Sequence, residues 1–166
     1  MSRHCIETTL VLACVLAVWP GNVEARGKPE PTRDYTTTVS RVIDGDTIVV
    51  DDGNNGLHVR LRCVDSPEIA HGAQRTQPYG REAAQLTRSA LSGQRVRLVY
   101  HTREPLDRYN RLLAYVFLEN GTLFNAELVR LGYARTTRFK CLYRDQVKAL
   151  ESEARRQHRG LWGARR

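Results

Sequence analysis

From residue 36 onward the chain is a series of short apolar runs in polar surroundings, and the period changes from run to run. "TTTVSRVI" (36–43) is β-branched almost throughout, which favours a strand. "TIVV" and "LHVRLRCV" flank "DDGNNG" (51–56), whose Gly, Asn and Asp residues suit a hairpin loop. "QRVRLVYH" (94–101) alternates apolar and polar residues, and "RLLAYVF" (111–117) is a further strand running toward the Asn-Gly pair at 120–121. The period then lengthens elsewhere. "YGREAAQLTRSALSG" (79–93) places Ala83, Leu86, Ala90 and Leu91 on one helical face, with Gly93 as a stop. "FNAELVRLG" predicts a short helix with Phe124, Leu128 and Leu131 on one face, ended by Gly132. A last helix is predicted over 143–158, carrying Val147, Leu150 and Ala154, with Leu161 and Trp162 folding back after Gly160.

About five short strands result, with one helix after the third and two following the fifth. Strands this short and close predict a small closed barrel with helices packed on it, not a parallel α/β sheet. The expected fold is therefore α+β: a five-stranded OB-type barrel with three helices.

The first 25 residues read differently. "LVLACVLAVW" (10–19) is an apolar run of ten, broken by Pro20 and Gly21, with "VEA" at 23–25 at the spacing of a cleavage site. Residues 1–25 are read as a signal peptide, since a membrane span needs roughly 20 apolar residues. Two other readings stay open: an uncleaved anchor, and lipidation at Cys14, for which the apolar run lies largely on the wrong side. The proline-rich, charged "RGKPEPTRD" makes 26–35 a linker, 36–163 the folded domain and 164–166 a basic tail. The expected location is secreted or periplasmic, with no membrane span in the mature chain.

Charge narrows the partners. The whole chain carries a net +8 with a pI near 9.7. Loss of Arg3, Glu7 and Glu24 with the leader leaves 25 basic against 16 acidic residues, a net +9. This favours a polyanion: nucleic acid, an acidic membrane surface or an acidic glycan. Loss of the leader also removes Cys5 and Cys14 and leaves Cys63 and Cys141. They are a candidate disulfide in an oxidising compartment; two buried thiols are the other reading.

Chemistry concentrates in "VRLRCVDSPE" (59–68). Folding the hairpin about 53–55 brings Asp46 opposite Leu61 and Arg62, close to Arg60 and to the exit toward Asp65 and Glu68. Clustered carboxylates repel unless a cation stands between them. Their oxygens suit Ca²⁺ or Mg²⁺, and the scattered histidines form no zinc pattern. Plain surface ion pairs are the competing reading at this point.

Six segments then carry a resemblance: "VIDGDTIVV" (42–50), "VRLRCVDSPE" (59–68), "QPYGREA" (77–83), "DRYNRLLAY" (107–115), "NAELVRLGYA" (125–134) and "RGLW" (159–162). In order and spacing the chain resembles the staphylococcal nuclease (thermonuclease) family over about residues 36–162. The resemblance implies an OB-fold barrel and a Ca²⁺-dependent nuclease acting on DNA and RNA, leaving 3′-phosphate ends. It implies that Asp46, Asp65 and the Ser66 carbonyl bind calcium, that Glu68 is the general base, and that Arg60 and Arg111 grip phosphate. Asp44 is a candidate for supporting the metal, or simply a turn former. Arg108 and Tyr109 correspond to positions that touch a terminal phosphate; packing is the other reading for Tyr109. Asn110 stands where the family usually has glycine. The family's base-stacking tyrosines have only Phe139 and Tyr143 as candidates. Arg62, Arg155, Arg156, Arg159, Arg165 and Arg166 are read as solvated basic surface. A monomer without a stable protein partner is expected. The rival function is a non-catalytic nucleic-acid-binding barrel of the same fold.

Overall fold

The computed structural model describes residues 31–70 and 75–163. The leader and the 164–166 tail lie outside the described residues. Five strands close a barrel: β1 (Thr32–Val42), β2 (Thr47–Val50), β3 (Leu57–Leu61), β5 (Arg95–His101) and β6 (Leu112–Phe117). Their order around it is β1-β2-β3-β6-β5, and β5 closes back onto β1. All pairings are antiparallel except β3 with β6. A separate two-stranded ribbon joins β4 (Val64–Asp65) to β7 (Arg135–Thr136). The three helices are α1 (Gly80–Leu91), α2 (Phe124–Arg130) and α3 (Arg144–Arg156), and a short 3₁₀ turn follows at Gly160–Trp162.

The barrel interior is Val39, Ile48, Val50, Val59, Leu61, Val96, Leu98 and Tyr115, all essentially without solvent contact. Each such aliphatic side chain stabilises the fold by about 1.5–3 kcal/mol relative to exposure. An exposed pair such as Arg97–Asp34, at 3.4 Å, adds at most about 1 kcal/mol. The apolar interior therefore holds the barrel, and the charged rim is left for other work. Asn125 is wholly buried and satisfied: its amide donates to the carbonyls of Arg62 and Ala114 and accepts from Val116 N–H. It pins α2 to the barrel beside the β3–β4 turn.

Several expectations need correction. β1 begins at Thr32, not 36, because residues 32–38 pair in register with β5 from His101 back to Arg95. The last part of the expected linker is thus barrel wall. The buried stripe of α1 runs through Ala83, Ala84, Thr87 and Leu91, and Leu86 and Ala90 are only partly covered. Tyr143 packs inward against Tyr115, ring centres 4.9 Å apart, so it is not a free stacking surface. Phe139 is 79% exposed.

Candidate active site

The turn between β1 and β2 is "DGD". Asp44 accepts the N–H of Asp46 at 3.0 Å, which makes the turn a local side-chain-to-backbone device. Thr87 on α1 donates to the Gly45 carbonyl at 2.7 Å, so the helix holds this turn from outside. Gly45 faces Ser66 and Ala83 so closely that a Cβ would lie 2.6 Å from Ser66 Oγ and 2.8 Å from Ala83 Cβ. The two segments bearing Asp46 and Ser66 can meet only because nothing fills that space.

The hairpin register pairs Thr47 with Arg60, and Leu61 N–H donates to the Asp46 carbonyl at 2.8 Å. Arg60 therefore reaches the Asp46 carboxylate directly, donates to Asp65 at 2.7 Å and stands 3.7 Å from Glu68. Ser66 N–H donates to the other oxygen of Asp46 at 2.6 Å. Arg111 is held by Asp107, which accepts its Nε at 2.8 Å and its backbone N–H at 3.0 Å. From there Arg111 donates to Thr47 Oγ1 at 3.3 Å, and Thr47 donates to Asp46 at 3.3 Å. The two arginines thus meet at Asp46, one directly and one through Thr47. Asn110 has φ 61°, the left-handed conformation that asparagine tolerates, and the turn that aims Arg111 is formed.

Charge in this cluster is unbalanced. Burial pushes the Asp46 carboxyl well up, Arg60 opposes it and Asp44 adds to it. Glu68 is raised by burial, then by Asp44, against Arg60. Burial alone would lower Arg60, yet its pKa is raised because Asp46, Asp65, Asp44 and Glu68 all face it. Four carboxylates share one guanidinium, so negative charge is in surplus. Among the described residues no three His, Cys, Asp or Glu side chains form a ready-made metal cage. Arg60 stands among the carboxylates instead. The donors are oxygen only and under-neutralised, which fits a hard divalent cation and not zinc.

The remaining candidates divide. Tyr109 is 63% exposed, with the Arg108 and Arg111 guanidinium carbons 4.7 and 5.3 Å from its ring centre, so it is not packed in the interior. Arg108 also donates to the Tyr109 hydroxyl at 2.6 Å. These two lie beside Arg111, not among the carboxylates. Cys63 and Cys141 are disulfide-bonded with Cα atoms 5.7 Å apart, and Thr137 N–H donates to the Cys63 carbonyl at 2.9 Å. Arg62 is half-buried, its Nε enclosed and its Nη1 3.5 Å from the Glu104 carbonyl, so it is not free basic surface. Arg155 is bound to Glu151 at 2.6 Å and stacked on Trp162 at 3.7 Å. Arg159 donates to the Arg130 carbonyl at 2.9 Å. Arg155 is nevertheless exposed, as surface, whereas Arg159 is half-buried. The sequence reading did not single out Thr47, Thr87 or Asp107. Only Asp107 has a local signal, an Asp four residues before the Arg it holds.

With this geometry in view, the comparisons decide the family. Residues 58–164 match the family model described as "Staphylococcal nuclease homologue". The chain belongs to the staphylococcal nuclease family. The family match begins after Asp44 and Asp46, which the fold nevertheless brings against matched residues Arg60 and Ser66. Similar relatives extend the likeness beyond that stretch. A "Thermonuclease" of Staphylococcus intermedius is 41% identical over 132 residues, covering 78% of this chain and 77% of the relative. A "Thermonuclease" of Staphylococcus hyicus is 37% identical over 131 residues, covering 78% and 76%. An "Uncharacterized endonuclease" of Escherichia coli O157:H7 is 38% identical over 130 residues, covering 78% of each. The closed five-stranded barrel with three helices agrees with the OB-type α+β fold of that family. No helix among the described residues is long and apolar enough to cross a membrane.

Proposed function

We propose that the protein is an exported, monomeric, Ca²⁺-dependent nuclease that hydrolyses phosphodiester bonds of DNA and RNA and leaves 3′-phosphate ends. The observation that carries this reading is the surplus of carboxylates around Arg60, with Arg111 reaching the same point through Thr47. The nuclease and endonuclease names of the relatives support it.

Asp46, Asp65 and the Ser66 carbonyl would hold the ion, with Asp44 fixing the turn behind Asp46. A bound Ca²⁺ supplies positive charge beside the phosphate oxygens and lowers the cost of further negative charge there. Arg60 and Arg111 would present planar guanidinium donors to the phosphate. Their charge meets the negative charge that builds on the equatorial oxygens. Glu68 accepts a proton from the attacking water, whose oxygen bonds to phosphorus as the bond to the 5′ oxygen breaks. A proton from solvent completes the 5′ hydroxyl, and the phosphate stays on the 3′ side. A base with a raised pKa takes that proton more readily than an ordinary carboxylate. Arg108 and Tyr109, beside Arg111, would touch a terminal phosphate.

The test is to incubate the chain from residue 26 onward with single-stranded DNA, duplex DNA and RNA, with calcium or with a calcium chelator. Calcium-dependent cleavage with 3′-phosphate product ends is expected. Binding without turnover would leave the non-catalytic barrel as the function.

A further inference from the structure

We infer that Gln77 is a positioning residue for Glu68, acting with Gly80 as a two-sided clamp on the Glu68 main chain. The inference rests on the reading of Glu68 as the base. The Glu68 side chain is held only at its tip, by a side-chain hydrogen bond with Asp44; among the described residues Arg60 stands 3.7 Å away, too far for a hydrogen bond, and the side chain is 38% exposed. Its backbone sets where that side chain starts.

Both main-chain polar groups of Glu68 end on Gln77. Gln77 N–H donates to the Glu68 carbonyl at 2.9 Å, and Gln77 Oε1 accepts from Glu68 N–H at 3.3 Å. Ala70 N–H donates to Thr76 Oγ1 at 3.0 Å, a second rung across the same neck of chain. Gly80 closes the other side. A Cβ there would lie 2.4 Å from the Glu68 carbonyl oxygen, so only glycine permits this approach. Gly80 N–H donates to the Gln77 carbonyl at 3.0 Å, which joins the two halves of the clamp. Tyr79 between them is left-handed, φ 67°, and turns the chain directly into α1.

The clamp also has a reference point. Thr87, two turns along α1, donates to the Gly45 carbonyl in the turn that carries Asp44 and Asp46. One rigid helix thereby sets the Glu68 backbone relative to Asp46. Proton abstraction needs hydrogen-bond reach between base and water, and a displacement of about 1 Å can cost on the order of 10²-fold in rate. The Gln77 side chain is exposed and adds nothing to the core, so its loss acts on geometry and not on bulk stability.

The experiment compares wild type, Gln77→Ala, Gln77→Glu and Glu68→Gln in calcium-supported cleavage of single-stranded DNA. It reads kcat, KM, calcium affinity by calorimetry, and Tm. Gln77→Ala should lower kcat roughly 10–10²-fold, with KM, calcium affinity and Tm nearly unchanged. Gln77→Glu keeps an acceptor oxygen at the same reach and should recover most of the loss. Gly80→Ala should lower kcat at least as far, with Tm lowered too by the clash with the Glu68 carbonyl; if it does not fold, the Gln77 pair carries the test. Wild-type kcat in Gln77→Ala, or a loss that Gln77→Glu does not repair, would overturn the clamp. Full turnover in Glu68→Gln would overturn the base assignment and the clamp together. A dead Glu68→Gln beside a fully active Gln77→Ala would overturn the clamp alone.

Discussion

Ser66 N–H donates to Asp46 Oδ2 at 2.6 Å, across a separation of twenty residues. This bond sets two candidate calcium-binding segments against each other before any ion arrives. Arg60 takes the other oxygen of the same carboxylate. Asp46 is thus oriented on both sides while remaining fully buried and poorly neutralised.

With calcium bound as proposed, that imbalance would couple calcium to pH. The carboxyls of Asp46 and Glu68 are raised above their ordinary values of 3.8 and 4.5. A raised carboxylate supports the metal-free fold fully below its unfolded pKa and withdraws that support as pH rises through its folded pKa. A cation bound among these groups offsets the loss. Calorimetric Tm with calcium minus Tm with chelator should therefore be smaller in acid and grow as pH rises through the raised carboxyls. A difference that is zero, or flat with pH, would contradict the assignment.

Asp107 gives the opposite sign. Burial raises its carboxyl, but the N–H groups of Arg111 and Tyr109 outweigh burial and hold it below 3.8. The resulting stabilisation is present above 3.8 and is lost as pH falls through the lower folded value. Asp107→Ala should cost about 1.5–3 kcal/mol at neutral pH, by denaturant unfolding, and the gap from wild type should close below about pH 3. Because Arg111 is released, kcat should also fall, by roughly tenfold or more. An unchanged kcat would mean that Asp107 does not aim Arg111.

The support behind the "DGD" turn is testable without touching a charge. Thr87→Val removes the donor to the Gly45 carbonyl and keeps the side-chain shape, leaving a buried carbonyl unsatisfied at about 1–3 kcal/mol. Gly45→Ala would push against Ser66 and Ala83, at a similar cost of about 1–3 kcal/mol. Both should weaken calcium binding measured by calorimetry. Wild-type affinity in both variants would show that the turn needs no such support.

The disulfide joins the β3–β4 turn to the segment before α3, over a sequence separation of 78. Replacing Cys63 and Cys141 by serine should lower stability by about 2–4 kcal/mol. Reductant should bring wild type to the same value. Two free thiols by alkylation and intact mass, in protein prepared under oxidising conditions, would contradict the bond.

How much of this the sequence carries depends on distance along the chain. The barrel strands announce themselves through β-branched alternation, and the turn at 51–56 places Asp46 beside Arg60 with no further information. β4 and β7, two residues each, are too short for any period. Thr32–Tyr35 looked like linker because Pro31, Arg33 and Asp34 mask a strand that only β5 reveals. Thr87 and Gln77 bond to backbone groups, 42 and nine residues away, and such bonds demand no particular partner side chain. Arg62 reads as surface by composition, but its Nε is buried and its Nη1 stands 3.5 Å from the Glu104 carbonyl.

In the proposed mechanism hydrolysis depends on calcium and Glu68 takes the proton. The most direct measurement is the single-turnover cleavage rate of single-stranded DNA by wild type and Glu68→Gln, each with calcium and with chelator, alongside calcium affinity. Wild type should cleave only with calcium. Glu68→Gln should be slower by about 10²–10⁴-fold with calcium affinity nearly intact. Equal rates for the two proteins, or wild-type cleavage that survives chelation, would contradict it.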